Sequence, residues 1–162
     1  MKIESPGAGD PGRFTGRTVP GADAIHFLQY NANKRSMSID LKDPRGLEIV
    51  KRLAKCADVM IENFAPGTIE RLGLGYAVIK AVNPAIIFCQ IKGFGAGPLA
   101  SNLAFDMLAQ ACGGLMSITG EEDGPPCKPG ATIGDTGTGM LMAVSILGAC
   151  IRRLRTGQGE HL

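Results

Sequence analysis

Stretches with the period of a strand alternate with stretches with the period of a helix along this chain. Short apolar runs predict strands at residues 36–41, 58–62 and 85–91. The last of these is apolar throughout, as in a strand buried on both faces of a parallel sheet. Apolar residues at helical spacing predict helices at 43–55, 69–72, 76–82, 105–116 and 140–154. The succession predicts a Rossmann-like, doubly wound α/β fold with a mostly parallel sheet.

The two ends of the chain lack the elements that such a fold carries next to them. Residues 1–6 have the pattern of a second strand, with no first strand or helix before it. Residues 157–162 begin a further strand and then stop. We therefore expect the sequence to be a fragment of a longer protein.

Composition and charge exclude several classes of partner. Of the 162 residues, 44% are hydrophobic and 20% are charged, and the net charge is +2. Scattered charges and few aromatic residues argue against binding to nucleic acid or to an anionic membrane surface. We expect no membrane span, because the longest apolar stretch, residues 140–151, is short for one. Without a secretory signal either, we expect a cytoplasmic protein, with an organelle matrix as the alternative.

The five cysteines give no sign of a metal site or a disulfide framework. They show neither a CxxC motif nor a Cys/His spacing, and four lie in apolar stretches. Small buried thiols in a reducing compartment explain these four, whereas Cys127 lies in a polar loop, which leaves an exposed thiol open there. We accordingly predict no bound metal.

Asp135 is the single carboxylate in a Gly/Pro-rich run, residues 124–139, that leads into the last apolar helix. An acid at the start of a helix is ordinarily a cap, because its oxygens accept hydrogen bonds from the free N–H groups of the first turn. The same position suits a nucleophilic carboxylate, held rigidly where a loop lets a ligand approach. Local sequence favours the cap and leaves the nucleophile open.

Several short motifs occur together and in a fixed order along the chain. They are Lys2-Ile3-Glu4, Gly9-Asp10-Pro11-Gly12-Arg13, Asn33-Lys34-Arg35-Ser36, Ile39-Asp40-Leu41-Lys42, Glu62-Asn63-Phe64-Ala65-Pro66-Gly67, Arg71-Leu72-Gly73-Leu74-Gly75, Lys92-Gly93-Phe94-Gly95, Gly97-Pro98, Phe105-Asp106, Gly134-Asp135 and Thr156-Gly157-Gln158-Gly159. With these motifs the chain resembles the family III CoA transferases over essentially its whole length.

The resemblance implies that Asp135 is the nucleophile of a transferase that moves CoA from an acyl-CoA donor to a carboxylic acid acceptor. In that chemistry the carboxylate forms a mixed anhydride and then a CoA thioester, because an anhydride keeps the acyl group activated enough to return to sulfur. Backbone N–H groups of Gly134 and of residues 136–139 are expected to stabilise oxyanions. CoA is implied as substrate, with no tightly bound cofactor.

The CoA-contacting positions implied by the resemblance begin in the first 50 residues. Arg13 matches an arginine near the nucleotide phosphates, the alternative being a solvated surface charge. Ile39 to Lys42 match a strand edge beside the adenosine, with Lys42 available for a phosphate. The alternative is a plain strand end.

Further CoA-contacting positions follow the second predicted strand. Asn63, Phe64 and Ala65 match a loop that lines the nucleotide, with core packing of Phe64 as the alternative. Arg71 matches a phosphate-binding arginine, with an ion pair within its helix as the alternative.

Phe105 and Asp106 match the segment beside the pantetheine arm and the reacting centre, and they distinguish reactions within the family. Formyl-CoA transferase carries a lysine where this chain has Leu103, which leaves a charge contact there open. The racemases of the family place a histidine immediately before the Asp, where this chain has Phe105. The two histidines, His26 and His161 at the expected frayed end of the chain, are both explained by structural roles. Transfer is therefore favoured over acyl-CoA racemisation, which remains the alternative.

The resemblance also implies what surrounds residues 1–162 in intact members. They form a partial CoA-binding and catalytic domain, without the first strand and helix, the small domain and the glycine loop of the family. Intact members are interlocked homodimers. A truncated, inactive α/β fragment is therefore a further alternative to an active transferase.

Overall fold

The computed structural model describes residues 1–16, 18 and 20–162, which divide into two compact units, Met1–Val50 and Lys51–Leu162. Arg17 and Val19, which belong to the loop predicted between the first two strands, lie outside the described residues. The boundary between the units falls within one helix.

The first unit contains a two-stranded parallel sheet and three helical segments. Strand β1 (Lys2–Glu4) pairs with β2 (Ser36–Ser38), with Ile3 opposite Met37. A 3-10 helix (Pro11–Phe14) and helix α1 (Ile25–Asn31) lie between these strands in sequence. Helix α2 (Pro44–Cys56) begins in this unit. The buried apolar side chains of the first unit are Ala24, Phe27, Ile39 and Val50.

The second unit contains a three-stranded parallel sheet in the order β3–β4–β5. Strand β3 spans Val59–Glu62, β4 spans Ile87–Gln90, and β5 spans Glu160–His161. The helices are α3 (Thr68–Arg71), α4 (Tyr76–Val82), α5 (Asp106–Cys112) and α6 (Ile133–Thr156), with a 3-10 turn at Leu115–Ile118. Strand β4 lies between the other two strands, and its apolar side chains Ile87, Phe88 and Cys89 are buried. Helix α6 packs against β4 through Met142, Ile146, Ala149 and Cys150.

The structure confirms the α/β class with parallel strands flanked by helices and most of the predicted elements. Strand β2 ends at Ser38 and helix α5 at Cys112, short of the predicted 41 and 116, and Cys56 and Cys112 are exposed rather than buried. Three further features differ from the prediction. Helix α1 was not anticipated, since only one of its side chains, Phe27, is buried. Helix α6 begins seven residues before residue 140. His161 lies within β5 rather than at a frayed end, because Glu160 and Leu162 N–H groups donate to carbonyls of residues 86 and 88.

The length of α6 also changes the expectation about membrane spans. Its 24 residues make it, among the described residues, the one helix long and apolar enough to cross a bilayer by length and composition. This is weak evidence by itself. One face of α6 packs on the sheet, and Arg153 near its end binds Asp58.

A glycine fixes the approach of β5 to the preceding chain. A Cβ at Gly159 would lie 1.9 Å from the carbonyl oxygen of Ile86, so Gly159→Ala must displace β5. We expect a loss of about 1–3 kcal/mol in the free energy of unfolding, measured by urea denaturation. Gly139→Ala is the matched control: its Cβ meets open space inside α6, and we expect a gain of about 0.5–1 kcal/mol. Equal effects of the two substitutions would contradict the packing described.

Candidate active site

Asp135 is the third residue of α6 and is exposed. The cap position belongs to Thr132, whose side chain makes no capping hydrogen bond. The interpretation of Asp135 as the helix cap is therefore wrong: it lies inside the first turn. An acid there still gains from the positive end of the helix dipole.

The cap of α6 comes from another helix. Asp106, the first residue of α5, is 8% exposed, and its Oδ1 accepts a 2.8 Å hydrogen bond from the N–H of Gly134. The backbone N–H of Asp135 also donates to this carboxylate. Hydrogen bonds from Gln110 and from these two N–H groups, with the Lys128 ammonium nearby, hold the pKa of Asp106 below its usual range. The ionised carboxylate of Asp106 thus anchors the backbone of Asp135.

Gln110 and Lys128 surround this carboxylate. The Gln110 Nε2 donates to both oxygens of Asp106, at 2.9 and 2.8 Å, and lies 3.3 Å from the carbonyl oxygen of Ala131. The Lys128 Nζ lies 3.5 Å from Asp106 Oδ2 and donates to the carbonyl of Pro129. Gln110 is 2% exposed, so Asp106 cannot turn away without stranding a buried amide.

This arrangement removes the backbone donors that were expected to stabilise oxyanions. The N–H groups of Gly134 and Asp135 donate to Asp106, and that of Thr136 donates to the carbonyl of Thr132. Residues 137–139 lie inside α6, where each N–H donates to the carbonyl four residues earlier. That prediction was wrong because the segment is helical rather than a loop.

Phe105 and Leu103 lie beside this helix junction. Phe105 precedes α5 and is 82% exposed, and Leu103 is also exposed. Two large apolar side chains in solvent next to the Asp106–Asp135 junction are consistent with an apolar ligand arm. Contact of Phe105 and Asp106 with pantetheine stays a prediction.

The predicted nucleotide loop, residues 63–67, is fixed at the carboxyl end of β3. Buried Glu62 accepts hydrogen bonds from the N–H of Phe64 (2.7 Å) and from Gln90 Nε2 (2.7 Å), and it pairs with Lys92 at 2.5 Å. The Lys92 ammonium also donates to the carbonyl of Phe64 at 2.9 Å. Both backbone polar groups of Phe64 are thereby held in place.

The side chains of this loop face solvent. Asn63 and Ala65 are exposed and Phe64 is 40% exposed, so core packing of Phe64 is wrong. Arg71 is exposed on α3, directly after the loop, and its Nη2 donates to Thr68 Oγ1 at 2.7 Å. Among the described residues no ion pair involves Arg71, which removes the alternative of an ion pair within its helix. Asn63, Phe64, Ala65 and Arg71 thus lie exposed on one loop and on the short helix that follows it.

His161 extends the polar network of the same sheet edge. Its Nε2 lies 2.8 Å from Gln90 Oε1, and its ring stacks on Tyr76 with centroids 4.3 Å apart. The structural role predicted for this histidine agrees with these contacts.

Arg13 lies in the first unit and is held by carboxylates. Its Nε and Nη2 donate to the two oxygens of Glu4, at 2.9 and 2.7 Å, and its Nη1 donates to Asp23 at 2.6 Å. The guanidinium also lies over the ring of Phe27, 4.2 Å from its centroid. Arg13 is therefore not a solvated surface charge. Two of its five N–H groups remain for a phosphate, which stays a prediction.

Ile39 and Lys42 lie in the same unit but differ in exposure. Ile39 is 6% exposed, and its N–H donates to the carbonyl of Glu4, so its side chain belongs to the core. Lys42 is exposed, and its backbone N–H donates to Asp40 Oδ1 at 2.8 Å. Of the two, Lys42 has the side chain placed to meet a ligand.

The supporting residues were missed from the sequence. They are Glu62, Gln90, Lys92, Gln110 and Lys128. Glu62 and Lys92 gave one usable signal, since opposite charges at the carboxyl ends of two parallel strands meet at one edge of a sheet.

Among the described residues no group of three or more His, Cys, Asp or Glu side chains is arranged to hold a metal ion.

The Glu4–Arg13 pair predicts a pH dependence of stability. Bonding to Arg13 and Ser36 lowers the pKa of Glu4 from 4.5 to about 2. The contribution of this group is thus fully present above pH 4.5 and is lost as the pH falls towards 2. Glu4→Gln should lower the urea midpoint at pH 7 by on the order of 0.5–1 M, with a smaller loss at pH 3. Glu48→Gln is the control: Glu48 is exposed on α2, and its substitution should change the urea midpoint at neither pH. Equal shifts of the midpoint at both pH values for Glu4→Gln would contradict the Glu4–Arg13 pairing.

The capping of α6 by Asp106 is tested by amide hydrogen exchange. Asp106→Asn keeps the shape but turns an N–H2 group towards donors, so exchange at Gly134 and Asp135 should accelerate at least about tenfold. Thr132→Ala is the control, because Thr132 makes no side-chain capping bond. The cap assignment fails if Thr132→Ala accelerates exchange and Asp106→Asn does not.

Comparison with known proteins places this chain in a family. The profile of CoA-transferase family III matches residues 1–162. A formyl-CoA:oxalate CoA-transferase of Streptomyces coelicolor is 44% identical over the whole chain, and a succinyl-CoA:glutarate CoA-transferase of Mus musculus is 43% identical over 160 residues. The chain spans 39% and 37% of their lengths. A crystal structure of a CAIB/BAIF family protein from Brucella suis superposes on 99% of this chain, and on 43% of its own, with a TM-score of 0.93 and 42% identity. The chain belongs to CoA-transferase family III.

Proposed function

We propose that this chain carries the nucleophile and part of the CoA site of a CoA transferase, with Asp135 as the nucleophile. The observation that carries the proposal is the position of Asp135: exposed, in the first turn of α6, with its backbone anchored by buried Asp106. A nucleophile must be held rigidly within reach of its substrate, and the anchored backbone and exposed position of Asp135 support this role.

The proposed reaction passes the acyl and CoA groups through the Asp135 carboxyl. Its oxygen attacks the acyl-CoA carbonyl, giving an aspartyl anhydride and CoA thiolate. The thiolate attacks the aspartyl carbonyl, giving an aspartyl thioester and releasing the first carboxylate. The acceptor carboxylate then attacks this thioester to form a second anhydride and thiolate. Attack of the thiolate on the acceptor acyl carbonyl yields the new acyl-CoA and restores Asp135.

The proposed CoA contacts are side chains that are exposed or that have N–H groups left to donate to CoA. Asn63 and Arg71 present polar groups beside a loop whose backbone is fixed by Glu62 and Lys92. Lys42, and the two remaining N–H groups of Arg13, are the proposed phosphate donors of the first unit. An acyl-CoA and a carboxylic acid are the proposed substrates, as the names of the two transferases above suggest.

Transfer is favoured over racemisation by Phe105. The position before Asp106 holds an apolar ring, which can neither remove nor return an α-proton. Cytoplasmic location, expected from the sequence pattern, and an interlocked homodimer, implied by the family resemblance, both stay predictions.

Trapping of the Asp135 thioester tests the proposal. The protein is incubated with succinyl-CoA or formyl-CoA, treated with hydroxylamine or borohydride, and digested for mass spectrometry. We expect modification of Asp135, and a loss of trapping of at least about 10³-fold in Asp135→Asn. Asp123→Asn is the matched control, an exposed acid of the preceding loop that should trap normally.

A folded protein without any Asp135 adduct would overturn the proposal for this chain and favour the inactive fragment. Exchange of the α-proton of a chiral 2-methylacyl-CoA in deuterated water would instead favour racemisation.

A further inference from the structure

A series of side-chain hydrogen bonds runs from strand β5 to the predicted nucleotide loop, residues 63–67. The Nε2 of His161 lies 2.8 Å from Gln90 Oε1. Gln90 Nε2 donates to Glu62 Oε1 at 2.7 Å, and Glu62 Oε2 accepts from the N–H of Phe64 at 2.7 Å. These bonds connect the backbone of the loop to a strand that is remote from it in sequence.

Two carboxylates fix the direction in which the Gln90 amide faces. Its Nε2 lies 2.7 Å from Glu62 Oε1 and 3.2 Å from Glu70 Oε1, so each hydrogen of the amide nitrogen has a carboxylate as its acceptor. Turning the amide over would place its oxygen against both carboxylates, with no hydrogen to form a bond. The amide oxygen of Gln90 therefore faces His161.

The orientation of Gln90 determines the role of His161. An amide oxygen only accepts, so the Nε2 of His161 must carry the hydrogen that joins the two side chains. The neutral tautomer with its hydrogen on Nε2 and the imidazolium both meet this requirement. The ring stacks on Tyr76, with centroids 4.3 Å apart, and meets Phe88 edge-on, with centroids 5.7 Å apart. His161 is thus held in place as a donor to Gln90.

Gln90 in turn connects two elements that carry proposed CoA contacts. Glu62 binds Gln90 through one oxygen and the N–H of Phe64 through the other, so Gln90 orients the carboxylate that holds the loop. Glu70 belongs to α3 and directly precedes Arg71. Because Gln90 bonds to both carboxylates, it fixes the loop relative to the helix that follows it.

We propose that His161 is a positioning residue for nucleotide binding, acting through Gln90 on the loop and on α3. Its ring supplies the hydrogen bond that keeps the Gln90 amide between the two carboxylates. The inference rests on the proposed function, because it takes Asn63, Phe64 and Arg71 as contacts of the CoA nucleotide. Holding these contacts in place before the ligand arrives lowers the entropy lost on binding.

A role of His161 in the sheet alone makes a different prediction. The backbone of β5 is joined to β4 by bonds from the N–H groups of residues 160 and 162 to the carbonyls of residues 86 and 88. None of these bonds involves the imidazole. A substitution that keeps a ring and removes the Nε2 donor should therefore loosen the loop and leave the sheet intact.

Amide hydrogen exchange of the 162-residue chain tests the connection to the loop. His161→Phe keeps an aromatic ring against Tyr76, and exchange of the Phe64 N–H should accelerate about threefold to tenfold. The N–H of Ile91, which donates to the backbone carbonyl of Glu62 in the ladder between β3 and β4, should exchange at an unchanged rate. In His161→Gln an amide nitrogen takes the place of Nε2, so slow exchange should be restored. Equal acceleration at Phe64 and Ile91, or none at Phe64, would overturn the proposal.

Isothermal titration calorimetry with CoA and with adenosine 3′,5′-bisphosphate tests the consequence for binding. His161→Phe should weaken the affinity for both ligands by about threefold to tenfold, because both contain the same phosphorylated adenosine. His26→Phe is the matched control, since this histidine lies on α1 of the other unit, and both affinities should stay unchanged. Faster exchange at Phe64 with unchanged affinities in His161→Phe would overturn the role in nucleotide binding.

A double substitution tests whether His161 acts through Gln90. Gln90→Met should weaken binding by itself, and adding His161→Phe should have no further effect, because both residues act along one series of bonds. Additive losses would overturn this route. Failure of the proposed function has a different result: an unmodified chain that binds neither ligand would overturn the CoA site, whereas the exchange rates would still decide whether His161 positions the loop.

Discussion

The hydrogen bonds between Asp106 and the first turn of α6 are the constraint on which the candidate site depends. They join the start of α5 to the N–H groups of Gly134 and Asp135, which are 28 and 29 residues further along the chain. Gly134 allows this approach, since a Cβ there would lie 3.0 Å from Asp106 Oδ1 and 3.2 Å from the Cβ of Ala109. Without the carboxylate, the first two turns of α6, which contain three glycines in seven residues, have little tendency to stay helical. The position of Asp135 is therefore a property of two helices and not of its own segment.

The predicted nucleotide loop, residues 63–67, is likewise held by side chains outside the loop. The exposed side chains Asn63 and Phe64 face solvent, whereas buried Glu62 and half-buried Lys92 bind both backbone polar groups of Phe64. The exposed loop is thus held through the backbone of Phe64 by two residues that are themselves largely buried. Pre-organisation of this kind lowers the entropy lost on binding.

Local sequence predicted the elements well where one periodicity was strong, as in Tyr76–Val82 and around the apolar strand β4. It failed at the start of α6, because Gly134, Gly137 and Gly139 have the composition of a loop, and the Asp106 cap that overrides their propensity is remote in sequence. It failed at α1 for a related reason, since a helix with one buried side chain has almost no apolar stripe. The family motifs located Asp106 and Asp135 separately. Their hydrogen bonds, and the support from Gln110 and Lys128, required the tertiary structure.

Helix α6 joins the chemical and the structural arguments, because it is apolar on two faces. One face supplies the core against β4, and the other carries exposed apolar side chains such as Val144 and Leu147, while Asp135 occupies the first turn. Displacement of α6 from the sheet would expose this core to water, so its apolar contacts with β4 oppose any movement of the helix. The core of the second unit and the Asp106 carboxylate therefore act on the same helix, and together they fix the backbone of Asp135.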